Sequence, residues 1–212
     1  MRDAIDTADV DTLSALVAAD PALADADIAF GPNGKNVVPP LHYVCDVVFR
    51  RLVTGEQALA MANVLLDAGV DPDRAYAKSG DTFLIAAASL GAELVGLRLV
   101  EAGADVTRRG LFGATALHWC AIMGLERLGA ALAAHSGAEL ELRDTQYDCT
   151  PLEWALHGWI EGTNGYKEGI PGTTRALVER GAVVPPRALE NLAAEADVPM
   201  RQALAPGAAG PS

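Results

Sequence analysis

The sequence predicts an all-α protein, a solenoid of about five helix–turn–helix units closed by a C-terminal cap. Two recurring signals and one compositional bias lead there. A threonine that can cap a helix N-terminus opens a short apolar run at Thr82, Thr115 and Thr150, spaced 33 and 35 residues apart. A glycine closes each unit, at Gly69-Val70-Asp71, Gly103-Ala104-Asp105, Gly137-Ala138-Glu139 and Gly181-Ala182-Val183, as it does where a helix ends in a left-handed residue. Half the residues are apolar but only 5% are aromatic, and the excess of alanine suits short, closely packed helices.

The first unit, 1–28, carries Leu13, Leu16 and Val17 at helical spacing, with Asp9 or Asp11 as cap and a stop before Pro21. Its first helix, about 2–7, is short and polar, as suits an end unit. Residues 30–40 read as a turn-rich loop. Gly31, Gly34 and Lys35 lack both the spacing and the Ser/Thr of a phosphate loop. The second unit, 38–71, is enlarged: residues 47–52 prolong its first helix, and Thr54 with Gln57 forms a capping box for its second. Unit 80–106 is regular. In unit 113–140, Leu117, Cys120 and Ala121 form one apolar stripe, and Trp119, Ile122 and Met123 a second. The fifth unit, 148–184, is enlarged by residues 158–172, whose five glycines predict a loop, with Thr173 or Thr174 capping the helix after Pro171. Residues 185–204 read as the cap and 206–212 as a disordered tail.

The recurrence of Thr-Ala-Leu-His at 115–118 and Thr-Pro-Leu-Glu at 150–153, at a period near 33, resembles the ankyrin-repeat family. The resemblance covers residues 1–205 as a single ankyrin-repeat domain and is closest over 80–157. The stretch 150–158 looks like a form seen in bacterial ankyrin proteins, and arginine in excess of lysine fits a GC-rich bacterial source. The departures are Pro39 at a capping position, Phe83-Leu84-Ile85 for Pro-Leu-His, and Glu153 at the histidine position. The resemblance implies a solenoid that binds through its concave face and turn tips, with His42 and His118 as structural bonds between helix start and turn. It implies no cofactor.

The formal charge is −12 and the pI about 4.6. An acidic surface argues against a nucleic-acid backbone and against anionic membranes as partners. Three scattered cysteines, Cys45, Cys120 and Cys149, have no zinc or disulfide spacing. They fit a reducing cytoplasm, and no metal is expected. No run of residues approaches the length of a membrane span.

The candidate partner-binding residues are Tyr43, Leu111, Phe112, Trp119, Ile122, Met123, Tyr147 and Trp154. They fall on the second stripe or at turn tips, and aromatics and methionine are favoured in interface cores. The expected partner is another protein. The alternative is a small molecule, or an unusual enzyme activity, near Trp154 and His157 under loop 158–172. There Glu153 and His157 stand at i, i+4, an arrangement in which a carboxylate can orient an imidazole for acid–base chemistry. Cys149 is a candidate nucleophile beside them.

Overall fold

A helix begins most firmly where something satisfies the free N–H groups of its first turn, and side chains do so at five of the described α-helix starts. The computed structural model describes residues 1–162, 167–190, 192–193 and 197–205. It is mostly helical and divides into two compact units, Met1–Asp105 and Val106–Ser212.

The first unit holds α1 (Arg2–Asp6), α2 (Val10–Ala19), a short hairpin, α3 (Pro40–Phe49), α4 (Gly55–Asp67), α5 (Phe83–Ser89) and α6 (Glu93–Glu101). Asp9 caps α2 by accepting from the Thr12 N–H at 2.9 Å. Thr54 and Gln57 make both halves of a capping box at α4, and Thr82 caps α5. Helices pair in sequence, and each pair stacks on the next: α1 packs on α3 and α3 on α5, while α2 packs on α4 and α4 on α6. Ile5, Leu13, Leu41, Met61, Leu65, Leu84 and Leu99 are buried between them.

Two features of this unit differ from the reading of the sequence. The expected loop 30–40 contains an antiparallel hairpin, β1 (Ile28–Phe30) with β2 (Asn36–Val38), so the fold is not purely helical. Asn33 and Gly34 both take positive φ at its turn, the asparagine–glycine chemistry that closes hairpins, and branched Val37 and Val38 suit a strand. Helix α3 stops at Phe49 rather than running to residue 52, because Arg51 turns left-handed at φ 58°.

The second unit holds α7 (Ala116–Met123), α8 (Glu126–Ala134), α9 (Pro151–Glu161), α10 (Ile170–Glu179) and α11 (Val198–Ala203). Helix α7 packs on α8 and α9, α10 packs on α8 and α9, and α11 packs on α10. Leu128, Leu132, Leu152, Ile170, Leu177 and Met200 form the core. The described residues of 158–172 are not the loop their glycines predicted. Residues 158–161 continue α9, and α10 begins at Ile170; residues 163–166 lie outside the described residues, as do 191, 194–196 and the predicted tail 206–212.

Its glycines serve close approach. A Cβ at Gly158 would stand 2.8 Å from Ile122 Cγ1 and 2.9 Å from the Ile122 carbonyl, and one at Gly169 would fall on the Gly124 carbonyl. Thr173 and Thr174 are buried and cap nothing: Thr173 donates to the Gly169 carbonyl at 3.3 Å, and Thr174 faces Met200 sulfur.

The start of α3 shows what a missing donor does. At α7 and α9 the residue three beyond the cap accepts a bond from the cap's own N–H. At α3 the cap is Pro39, which has no N–H. The Nδ1 of His42, three residues on, is buried and has no hydrogen-bond partner among the described residues. Pro39→Thr supplies both the N–H and a capping hydroxyl. It should raise stability by about 1 kcal/mol in denaturant titration, and the gain should shrink, leaving only the share of the capping hydroxyl, in a His42→Leu background. Gly158→Ala should lower stability by about 1–3 kcal/mol through overpacking against Ile122, seen as a lower denaturation midpoint at unchanged m-value.

Candidate functional site

The second unit contains an apolar cleft of about 390 Å³. Its walls come from three places: the turn 111–113 contributes Phe112, α7 contributes Trp119 and Ile122, and the turn 144–149 with α9 contributes Tyr147, Cys149, Glu153, Trp154 and His157.

Asp144, which the sequence reading passed over, organises the turn. It is buried and accepts from the N–H groups of Gln146 at 2.8 Å, Tyr147 at 2.6 Å and Cys149 at 3.0 Å, and from the Trp154 indole at 3.0 Å. Burial alone would raise its pKa. The bonds from Trp154 and the three backbone amides outweigh that and hold the carboxyl below its ordinary value. The signal in the sequence is an aspartate two residues before a turn tip, the pattern of an Asx turn.

His118 joins α7 to that turn. Its Nδ1 accepts from the Thr115 N–H at 3.2 Å, and its Nε2 lies 3.2 Å from the Cys149 carbonyl. One neutral tautomer, with the proton on Nε2, satisfies both ends. Burial therefore lowers its pKa to about 4, the largest cause being desolvation of the charged form. Glu153 does the equivalent work at α9, accepting from the Thr150 N–H at 2.8 Å. Glutamate at the histidine position thus keeps the bond to the cap.

Phe112 stands at the cleft lip with a left-handed backbone, φ 64°. A non-glycine residue there carries strain. It is held because its carbonyl accepts from both the N–H and the hydroxyl of Thr145, each at 2.8 Å. Arg109 ties the two turns together by donating to the carbonyls of Gly113 and Arg143.

Of the predicted partner-binding residues, Phe112, Trp119, Ile122, Tyr147 and Trp154 meet in this cleft, with Tyr147 60% exposed at its rim. Two others, Tyr43 and Met123, need correcting as contact residues, and Leu111 stands apart from the cleft. Tyr43 belongs to the first unit and is fully buried: its hydroxyl donates to Asp6 at 2.6 Å, and its ring packs on Phe30 at 4.9 Å. Met123 is buried because, at 100° per residue, it lies only about 60° from the core residue Cys120, whereas Ile122 lies on the far side. Leu111 is exposed but does not line the cleft. Trp154 is buried as well and forms the floor of the cleft, with its indole N–H spent on Asp144.

The acid–base pair is not assembled. Glu153 and His157 share the cleft wall, but no hydrogen bond or ion pair joins them. Glu153 Oε2 accepts from Thr150 and Arg143, and Oε1 faces Arg143 at 3.5 Å. The Cys149 thiol is pushed above its ordinary pKa by burial and by the carboxylates of Glu153 and Asp144, so it is a poor nucleophile. Among the described residues no group of three or more His, Cys, Asp and Glu could hold a metal, and no helix is long and apolar enough to cross a membrane. The arrangement offers shape and aromatic surface rather than bond-making groups.

His118 makes the fold acid-sensitive. Its folded pKa is depressed, and that of His42 is lowered in the same direction, again chiefly by burial. The unfolded chain therefore binds protons that the folded one refuses. Stability is fully present above pH 6.5 and falls as the pH drops toward 4, by on the order of 3 kcal/mol for His118. Asp144, with a lowered pKa, stays charged across that window. Denaturant midpoints from pH 7 to 4 should show this loss, and a His118→Gln variant should show a flatter profile.

No protein-family model matches the chain, and no curated protein matches it.

Proposed function

We propose that the chain is an ankyrin-repeat binding module that takes an apolar side chain of a partner protein into the cleft of its second unit. The ankyrin-repeat reading is supported by the 33- and 35-residue spacing of the capped helix starts, by successive helix pairs that stack within each unit, and by the histidine bond from helix start to turn. The observation that carries the binding reading is the cleft itself: aromatic side chains from three chain segments around about 390 Å³, with a rim tyrosine 60% exposed. Exposed apolar clusters of this kind mark interaction sites. Three free cysteines, two of them buried, support a reducing cytoplasmic setting. The charge of −12 supports a partner that is neither nucleic acid nor an anionic membrane.

A small molecule in the same cleft is the second reading. It is favoured by a volume within the range of ligand pockets, with Glu153 and His157 on the wall. With Glu153 occupied by Thr150 and Arg143, that reading is binding without chemistry.

Both readings are tested by affinity capture from the native lysate, comparing wild type with Phe112→Asp/Tyr147→Asp. Neither side chain is buried, so the thermal midpoint should stay within a few degrees. A protein retained by wild type and lost from the variant is the expected result. A variant that keeps every partner would remove the cleft from the interface. If wild type captures nothing, the small-molecule reading takes precedence.

A further inference from the structure

We propose that the cleft is an aromatic cage for a methylated or quaternary ammonium group. The proposal rests on the cleft being the binding site and adds the chemistry of what enters it.

The four aromatic rings of the cleft contact one another in a closed circuit. Trp119 meets Trp154 at 5.1 Å and 83°, Trp154 meets Tyr147 at 6.3 Å and 68°, Tyr147 meets Phe112 at 5.8 Å and 56°, and Phe112 meets Trp119 at 6.2 Å and 37°. Three of the four contacts cross at 56° or more, so the rings around the cleft present their surfaces in several directions. Ring faces carry the negative end of the quadrupole, so such a space attracts a diffuse cation.

Charge points the same way. The lining contains no lysine or arginine and one carboxylate, Glu153, on a chain of net charge −12. Arg143, the nearest cation to Glu153, is itself matched by Glu153 and Asp148.

The lining also separates methylated from unmethylated ammonium. A primary ammonium brings three N–H donors that need acceptors once water is stripped away. Indole N–H groups are donors only, and the Glu153 oxygens already accept from Thr150 and Arg143. Methyl groups cover the charge and ask for no hydrogen bonds. A trimethyllysine side chain on a protein and a free choline-type cation share this chemistry.

The test titrates the full chain, by tryptophan fluorescence at fixed ionic strength, with choline and with 3,3-dimethylbutan-1-ol, its uncharged isostere. Choline should bind at least about tenfold more tightly. Tyr147→Ala and Phe112→Leu should each weaken choline at least about tenfold with unchanged circular dichroism. Equal affinity for the two compounds would overturn the cage while leaving an apolar binding cleft intact. A short peptide carrying one trimethyllysine is compared with its unmodified form, and measurable binding of both with equal affinity also overturns it. If the methylated peptide binds more tightly than choline, the source is a protein side chain; if choline binds more tightly, it is a free cation. Failure of choline and methylated peptide alike overturns the cage, whereas loss of the cleft as a site is read separately, from capture by Phe112→Asp/Tyr147→Asp.

Discussion

The imidazole of His118 is the joint on which the second unit depends. One nitrogen completes the first turn of α7 and the other reaches the Cys149 carbonyl, so the start of one helix and the turn before the next are fixed by the same ring. Because the imidazole is buried and its Nδ1 can accept from the Thr115 N–H only when unprotonated, protonating the ring or removing the Thr115 N–H would leave an unmet polar group inside the protein. The turn so fixed is the one in which Asp144 gathers the amides of Gln146, Tyr147 and Cys149 and the indole of Trp154. The cleft is thus the outer surface of a hydrogen-bonded scaffold, and its rings are placed by polar groups that no ligand would touch.

That division of labour separates shape from chemistry. Three polar side chains around the cleft are already engaged: Glu153 in a cap and an ion pair, His118 in a joint, Asp144 in a turn. What faces the open space is mostly ring and aliphatic surface, from Phe112, Trp119, Ile122, Tyr147 and Trp154. In the role proposed above, a surface of that kind would discriminate by fit and by diffuse charge.

The helix starts were legible in the sequence because capping is decided within four residues. Thr54 with Gln57, Thr82, Thr115 and Thr150 each carry their partner close by. The cleft was legible in part, since Trp119, Ile122 and Trp154 fall at regular spacing on successive units. Met123 and Tyr43 were misplaced because spacing alone does not say which edge of a stripe turns inward. The glycines of 158–172 were read as a loop because a glycine needed for close approach looks identical to one needed for flexibility. What distinguishes Gly158 is Ile122, far away in the chain, and what distinguishes Gly169 is the Gly124 carbonyl. Asp144 went unread because an aspartate ahead of a turn tip is common, and the donor that sets this one apart, the Trp154 indole, comes within reach only when α9 is in place.

The left-handed backbone of Phe112 has a consequence for how this surface can evolve. Glycine or asparagine would occupy that conformation more easily, so the native residue holds the protein below the stability open to it at that position. Selection for thermal robustness alone would erode the ring from the lip. Only a pressure of another kind would keep it, and among descendants of this chain the identity of residue 112 would separate those under such a pressure from those free of it.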